Sequence, residues 1–286
     1  MILVTGATGS NGTELLKLLS ARGVPARAMV RATNQADGIA GLLGIEIVAG
    51  DFDDDASLDR VLHGIRRAFL LTNSTDRAEA QQMSFVAAAK RGGVRHIVKL
   101  SQFAADEASL VRFLRYHAAV ERAIREAGLD YTFLRPNLFM QGLLDFAPTI
   151  KAEGRFYAAV GEAKISIVDV RDNAATAAAA LTGDGHAGKT YTLTGPEALS
   201  HAEMAAKLSN ALDRTVTFVD VAPEAMREAL SHTPMPAWQA DGLIEDYAHY
   251  HRGKAAVVAP GVKDATGTTP RPFTAFTHEF KAVFSS

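Results

Sequence analysis

The sequence predicts an α/β protein: a doubly wound parallel sheet carrying a smaller, interleaved α+β lobe toward the C-terminus. Three observations carry that expectation. Short apolar runs alternate with helical patterns through the first half of the chain. Runs such as Ala68-Phe69-Leu70-Leu71 are continuously apolar, as strands buried on both faces must be. The first run also leads directly into a glycine-spaced turn that opens a helix. Strand–helix–strand repetition implies parallel strands joined by right-handed crossovers, so helices should cover both faces.

In chain order, strands are expected at Met1–Val4, Ala26–Val30, Glu46–Ala49, Ala68–Thr72, His96–Ser101 and Tyr131–Leu134. Between them, Asn11–Arg22 places Leu15, Leu16, Leu18 and Leu19 on one helical stripe, and Ala78–Arg91 repeats the pattern with Met83, Val86 and Ala87. After Pro136 the rhythm changes. Ile165–Val170 reads as a strand, Asp172–Leu181 as an alanine-rich helix, and Tyr191–Thr194 as another strand. Ser200-His201-Ala202-Glu203 has the spacing of a capping box opening a helix to Leu212. Thr215–Val221 reads as a strand, with Pro223 in the first turn of the next helix. The stretch 253–272, mixing Gly, Pro and Thr, is expected to be loop-rich. The division is therefore a dinucleotide-binding unit over residues 1–140, with later strands from about 165–195. The smaller substrate lobe takes most of 141–286.

Composition narrows the function. A chain of 286 residues buries about 75% of its unfolded surface and folds without staples. Thirty Lys+Arg against 32 Asp+Glu give a net charge of -2, without the basic excess of a nucleic-acid binder. The absence of cysteine excludes disulfides, thiol catalysis and thiolate metal sites, and fits a reducing cytoplasm. Met1-Ile2-Leu3-Val4 is too short for a signal peptide, and no apolar run approaches a membrane span. His249 and His251 project to different helix faces, so no metal site is expected. No nucleic-acid or membrane partner is expected, and the chain should work as a monomer or homodimer.

The most specific signal is Gly6-Ala7-Thr8-Gly9-Ser10-Asn11-Gly12. Gly6 permits a tight strand-to-helix turn, Gly9 lets backbone approach a diphosphate, and Gly12 lets the helix pack close to the strand. Thr8, Gly9, Asn11 and Gly12 are expected near a dinucleotide diphosphate, with Ser10 beside them. NAD-selective sites end the second strand in Asp or Glu; here Val30 is followed by Arg31. A guanidinium there pairs with a 2′-phosphate, so NADP(H) is favoured over NAD(H), against the alternative of a solvated surface arginine. Asp51 and Phe52 are candidates for the adenine, while the neighbouring Asp53–Asp55 suit a helix cap. Thr72, Asn73, Ser101 and Gln102 end two further strands, where open α/β sheets bind ligands.

Together with Gly50-Asp51, His117-x-x-x-Glu121, Tyr131-Thr132-Phe133-Leu134-Arg135-Pro136-Asn137, Val168-Asp169-Val170-Arg171-Asp172 and Tyr191-Thr192-Leu193-Thr194-Gly195-Pro196, these residues resemble the atypical branch of the short-chain dehydrogenase/reductases. More narrowly, they resemble the NmrA-like NAD(P)-binding proteins, over nearly the whole chain. The resemblance implies a Rossmann-type fold. Its reductase members act on azo dyes, quinones and triphenylmethane dyes, and other members are redox-sensing regulators. It also implies a substrate cleft beside Pro136, Asn137 and Phe139. Phe103, Tyr116, Phe139 and Met140 would wall that cleft, although each reads equally well as core.

One departure shapes the chemistry. The superfamily's usual Tyr-x-x-x-Lys pair lowers a phenol's pKa. Here the matching helix reads Tyr116-His117-Ala118-Ala119-Val120-Glu121, with no lysine one turn on. His117 and Glu121, at i,i+4, are expected either to form a bonded pair serving the substrate or to be a structural pair. His117, Gln102 and Tyr116 are the catalytic candidates. The reading is an NADPH-dependent reductase acting on electron-poor conjugated acceptors, which take hydride without a strong acid. The alternative is a non-catalytic NADP(H)-sensing regulator.

Overall fold

The computed structural model describes residues 1–285. A seven-stranded sheet has the order β3-β2-β1-β4-β5-β6-β8, parallel throughout. Its strands are β1 (Ile2–Val4), β2 (Ala26–Val30), β3 (Ile45–Ala49), β4 (Arg67–Leu70), β5 (His96–Leu100), β6 (Asp130–Pro136) and β8 (Lys189–Leu193). The doubly wound sheet expected from the sequence is therefore present.

Both faces are covered, which is why the strands are apolar on both sides. On one face α1 (Ser10–Ala21) and α6 (Val170–Thr182) pack Leu15, Leu16, Leu19, Ala177 and Leu181 onto Ile2, Val4, Phe69 and Val98. On the other, α2 (Asp55–Leu62), α3 (Ala78–Arg91) and α4 (Arg112–Glu126) pack Leu58, Phe85, Val120 and Ile124 onto Leu3, Ala68, Ile97 and Phe133. The alternation of Ile2, Leu3 and Val4 between the clusters is the period-2 pleat.

A third cluster joins α5 (Ala147–Glu153), α7 (His201–Leu212), α8 (Pro223–Ser231) and α9 (Ala237–His251) to the short parallel pair β7 (Arg155–Ala158) and β9 (Thr217–Asp220). The helices α10 (Gly261–Thr266), α11 (Phe273–Glu279) and α12 (Lys281–Phe284) follow, and Phe273, Phe276 and Phe284 complete that cluster. This separate core supports the two-lobe division, which we keep as a proposal. None of the helices among the described residues is long and apolar enough to cross a membrane.

Several expectations need correction. Ile165–Val170 is not a ladder strand. It makes isolated bridges, Ile165 with Leu199 and Val168 with Phe139, and ends where Asp169 accepts from the Arg171 N–H to cap α6. Strand β7 was not expected: it is four residues long and follows Gly154, whose left-handed φ of 65° reverses the chain after α5. The region 253–272 carries α10 within its loops. The capping box at Ser200 and Glu203 and the proline opening α8 form as the sequence implies.

Candidate active site

The strand order places the topological switch between β1 and β4, and the glycine turn lies at the carboxyl end of β1. Crevices at that position are where open α/β sheets take ligands. Three glycines serve there for three different reasons. Gly6 has a φ of +60°, which a side chain resists. A Cβ on Gly12 would stand 2.1 Å from the Gly6 carbonyl oxygen, so helix and turn touch. A Cβ on Gly9 would meet nothing closer than 3.4 Å, so packing does not demand glycine there.

The helix that follows is built to meet an anion. Gly9 is its N-cap and offers no side-chain acceptor, and no acidic residue occupies its first turn. Its leading N–H groups and positive dipole end are thus left unneutralised. Thr8, Gly9 and Ser10 are exposed on the crest of the turn. Asn11 is buried, with its amide oxygen accepting from Asn173 of α6 at 3.2 Å. Thr5 pins the turn from below: its hydroxyl lies 2.9 Å from the Leu71 carbonyl and accepts from the Leu71 N–H. These features fit a dinucleotide diphosphate.

Arg31, directly after β2, is exposed and forms no ion pair among the described residues. Asp51 is also exposed, but its carboxylate accepts from the Asp53 N–H at 3.0 Å. The ring of Phe52 rests 5.8 Å from that of Phe85, against the sheet-face core rather than free to stack on a base. Asp54 caps α2 by accepting from Ser57.

The other end of the crevice departs further from expectation. The Ser101 hydroxyl donates to Glu121 at 2.6 Å, and Arg135 clamps the same carboxylate at 2.9 and 2.6 Å. Glu121 is thus bound to Arg135 and Ser101 rather than to His117. Asn137 does not face an open crevice: its amide donates to Ser166 and the Ala255 carbonyl, both at 2.9 Å, and ties those segments together. Pro136 ends β6, its carbonyl accepting from the Phe103 N–H. Met140 belongs to the third core, and Phe139 packs at the edge of the first. Phe103 is half-buried; Asn73 is exposed, and Thr72 is half-buried, accepting from Gln82 at 2.8 Å. Tyr116, one of the expected wall residues, joins Phe113 and Trp238 in an aromatic cluster. Tyr116 sits 4.1 Å from His117 and 6.3 Å from Trp238, and Phe113 lies 5.5 Å from Trp238. Trp238 opens α9, whose packing on α4 sets its ring beside Phe113 and Tyr116.

Burial governs the titrating groups. It pushes the Tyr116 phenol well above its ordinary value, so Tyr116 stays protonated and bonds to Ser74 at 3.1 Å. His117 is driven well below the usual imidazole range, first by burial and then by the charges of Lys99 and Arg135. The imidazole is therefore held neutral by its surroundings.

Two buried groups escaped the sequence reading. Lys99, inside β5, is fully buried, with its Nζ 3.0 Å from His117 Nδ1 and 2.6 Å from Gln82 Oε1. Burial lowers its pKa to about 7. A signal existed: His96-Ile97-Val98-Lys99-Leu100 sets a lysine in a strand that both-face burial should keep apolar. Asp246 of α9 accepts from the Gln102 amide at 2.7 Å, and burial raises its pKa to about 7. No local spacing links Gln102 to a residue 144 positions away.

Asp246 gives a stability prediction with a defined sign. Its folded pKa lies above the unfolded one, so between about pH 4 and 7 the native state holds a proton the unfolded chain has released, and stability falls as pH rises. Asp246→Asn removes that loss. Urea titrations should show the variant gaining about 2 kcal/mol or more relative to wild type at pH 8 than at pH 5. An equal difference at both values would contradict it.

The profile of the NmrA-like family matches residues 1–256. The chain belongs to the NmrA-like family. A (4-alkanoyl-5-oxo-2,5-dihydrofuran-3-yl)methyl phosphate reductase of Streptomyces griseus is 39% identical over 287 residues, covering 100% of this chain and 99% of its own. The NAD(P)H azoreductase of Xenophilus azovorans is 36% identical over 286 residues, with 100% of both chains covered. The crystal structure of an Escherichia coli NADPH-dependent quinone oxidoreductase complexed with NADPH superposes with a TM-score of 0.88 at 27% identity, covering 98% of this chain and 100% of that one. Within the NmrA-like family, this chain joins the glycine turn and an unpaired Arg31 to a buried Lys99–His117 contact.

Proposed function

We propose that the protein is an NADPH-dependent reductase passing hydride to an electron-poor conjugated acceptor such as a quinone, an azo dye or a triarylmethane. The observation that carries the reading is the uncapped glycine turn at the switch point beside an arginine without an ion pair. The whole-length relatives, named as reductases of an unsaturated lactone phosphate and of azo compounds, support the same chemistry.

In this reading the amides of Gly9 to Gly12 hold the diphosphate and Arg31 holds the 2′-phosphate. When bound, reduced nicotinamide supplies the hydride. The chain's own work is to bind, to orient and to exclude water. Trp238, half-buried over the core cluster of Phe113 and Tyr116, is the ring of this group that keeps apolar surface for a conjugated ring system. Asp246 holds the Gln102 side chain, fixing its carboxamide at the end of β5.

Arg31→Asp is expected to weaken NADPH binding by about 10- to 100-fold, the scale of a charge-assisted contact, and NADH binding far less. Calorimetric titration with both nucleotides decides it; equal losses reject the role of Arg31. Mixing the protein with NADPH and a panel of quinones, azo dyes and triarylmethanes tests the activity by nicotinamide absorbance. Consumption supports the reductase. Tight NADP binding without consumption would favour the regulatory alternative.

A further inference from the structure

Lys99 stands in the middle of the sheet with 0% of its surface exposed. An ammonium in such a place costs several kcal/mol unless its donors are met. It has three donors and no acceptor, and three acceptors surround it: Gln82 Oε1 at 2.6 Å, His117 Nδ1 at 3.0 Å and the Leu100 carbonyl at 3.4 Å. The Gln82 amide is oriented by its N–H donation to Thr72, so its oxygen faces the lysine. Among the described residues no carboxylate bonds Lys99; Glu121 acts on it through space.

A ring nitrogen that accepts from an ammonium carries no proton of its own, so the neutral His117 carries its proton on Nε2. His117 keeps 7% exposure, whereas Lys99 keeps none. Of the two groups, only the ring can exchange a proton outside the core. A purely structural tether between β5 and α4 would need neither an ionisable group nor an imidazole: a buried polar cluster is often no more stable than an apolar replacement.

We propose that Lys99 and His117 act as a proton-donating pair for acceptors whose reduction consumes a proton as well as a hydride. The proposal rests on the reductase reading. As a quinone takes hydride from reduced nicotinamide, the oxygen that gains the negative charge takes the His117 Nε2 proton in the same step, while Nδ1 takes a proton from the Lys99 ammonium. The Nε2–H and Nζ–H bonds break and O–H and Nδ1–H bonds form. The imidazole ends neutral in the opposite tautomer, and Lys99 ends as an amine. After product leaves, water returns a proton through the same ring. An azo bond is served likewise. A cationic triarylmethane becomes neutral on gaining hydride alone and needs no proton.

The charged groups that face the pair are few. Glu121 of α4 favours the Lys99 ammonium, Arg135 of β6 disfavours a His117 cation, and Gln82 of α3 is neutral. Since Lys99 titrates at about 7, proton supply weakens as pH rises through that value.

The test compares single-turnover NADPH oxidation by a benzoquinone and by a cationic triarylmethane dye in wild type, Lys99→Met and His117→Gln. Thermal melts and nucleotide titration confirm that each variant is folded. The quinone-to-dye rate ratio should fall at least about tenfold in both variants, a conservative threshold beside the roughly 100-fold or more that positioned acids contribute. The decline of the quinone rate near pH 7 should disappear in Lys99→Met. Independently of turnover, nitrogen-15 spectra should place the His117 proton on Nε2 at pH 6, with a tautomer change near pH 7 that Lys99→Met abolishes. An unmoved ratio, or a His117 proton on Nδ1 at pH 6, overturns the pair. A wild type that oxidises NADPH with neither acceptor overturns the reductase reading instead, and that outcome differs from one in which both acceptors react and the ratio stays fixed.

Discussion

Gly12→Ala is expected to abolish useful nucleotide binding and to destabilise the fold. The added methyl would lie 2.1 Å from the Gly6 oxygen and 2.8 Å from Ala7 Cα. Both are backbone atoms of the turn itself, so no side chain can rotate aside. Overpacking typically costs about 1–3 kcal/mol, and backbone obstruction puts this site at the upper end. Relief requires α1 to move away from β1, which carries the N–H groups at Gly9 to Gly12 off their aim. An affinity loss of about 100-fold corresponds to roughly 2.7 kcal/mol, a modest demand on a displaced anion cradle. Gly9→Ala makes the contrast. Its methyl meets only ordinary contact at 3.4 Å, and its φ of -80° suits alanine. Stability should change little, yet binding should fall, because the methyl occupies the space a diphosphate would use. Urea melts and calorimetry on both variants check this; equal stability losses would show that the turn is merely tight.

Glu121→Ala should be the most damaging single change outside the turn. The carboxylate is 1% exposed and holds Arg135 by two bonds, Ser101 by one, and Arg125 at 3.5 Å. Its removal strands a guanidinium that is only 25% exposed and a buried hydroxyl. Breaking a buried pair from one side costs about 3–5 kcal/mol; the residual exposure of Arg135 places the expected loss near 3 kcal/mol by urea denaturation. A second consequence separates this from simple loosening. Glu121 is the charge that favours the Lys99 ammonium, so its loss should carry the pH dependence of quinone reduction toward lower pH. A loss below about 1 kcal/mol would mean that water has replaced the carboxylate.

How much of this could be read beforehand depended on the range of the forces involved. The strands, the helix stripes, the capping box at Ser200 and the glycine turn are written in patterns a few residues long, because pleat, helical period and capping are local. Side-chain commitments across the sheet are not local. Asn137 and Met140 carry plausible ligand-binding chemistry, yet packing gives both to the interior, and Phe52 leans half-buried on Phe85. The spacing of His117 and Glu121 permits a pair, but Arg135 on the neighbouring strand offers Glu121 a charged fork, and Lys99 offers His117 a donor. A neutral i,i+4 contact cannot compete with either.

The sequence by itself determined that the chain forms a parallel α/β sheet, that an anion cradle follows its first strand, and that an arginine rather than an acid ends the second. Each is a property of consecutive residues and of backbone that cannot take another shape. Only the tertiary structure decided which lysine meets which histidine, and that Asp246 reaches Gln102 from α9. Those contacts join residues 18 and 144 positions apart. Desolvation, which sets the charge of both groups, exists only once the elements have closed over them.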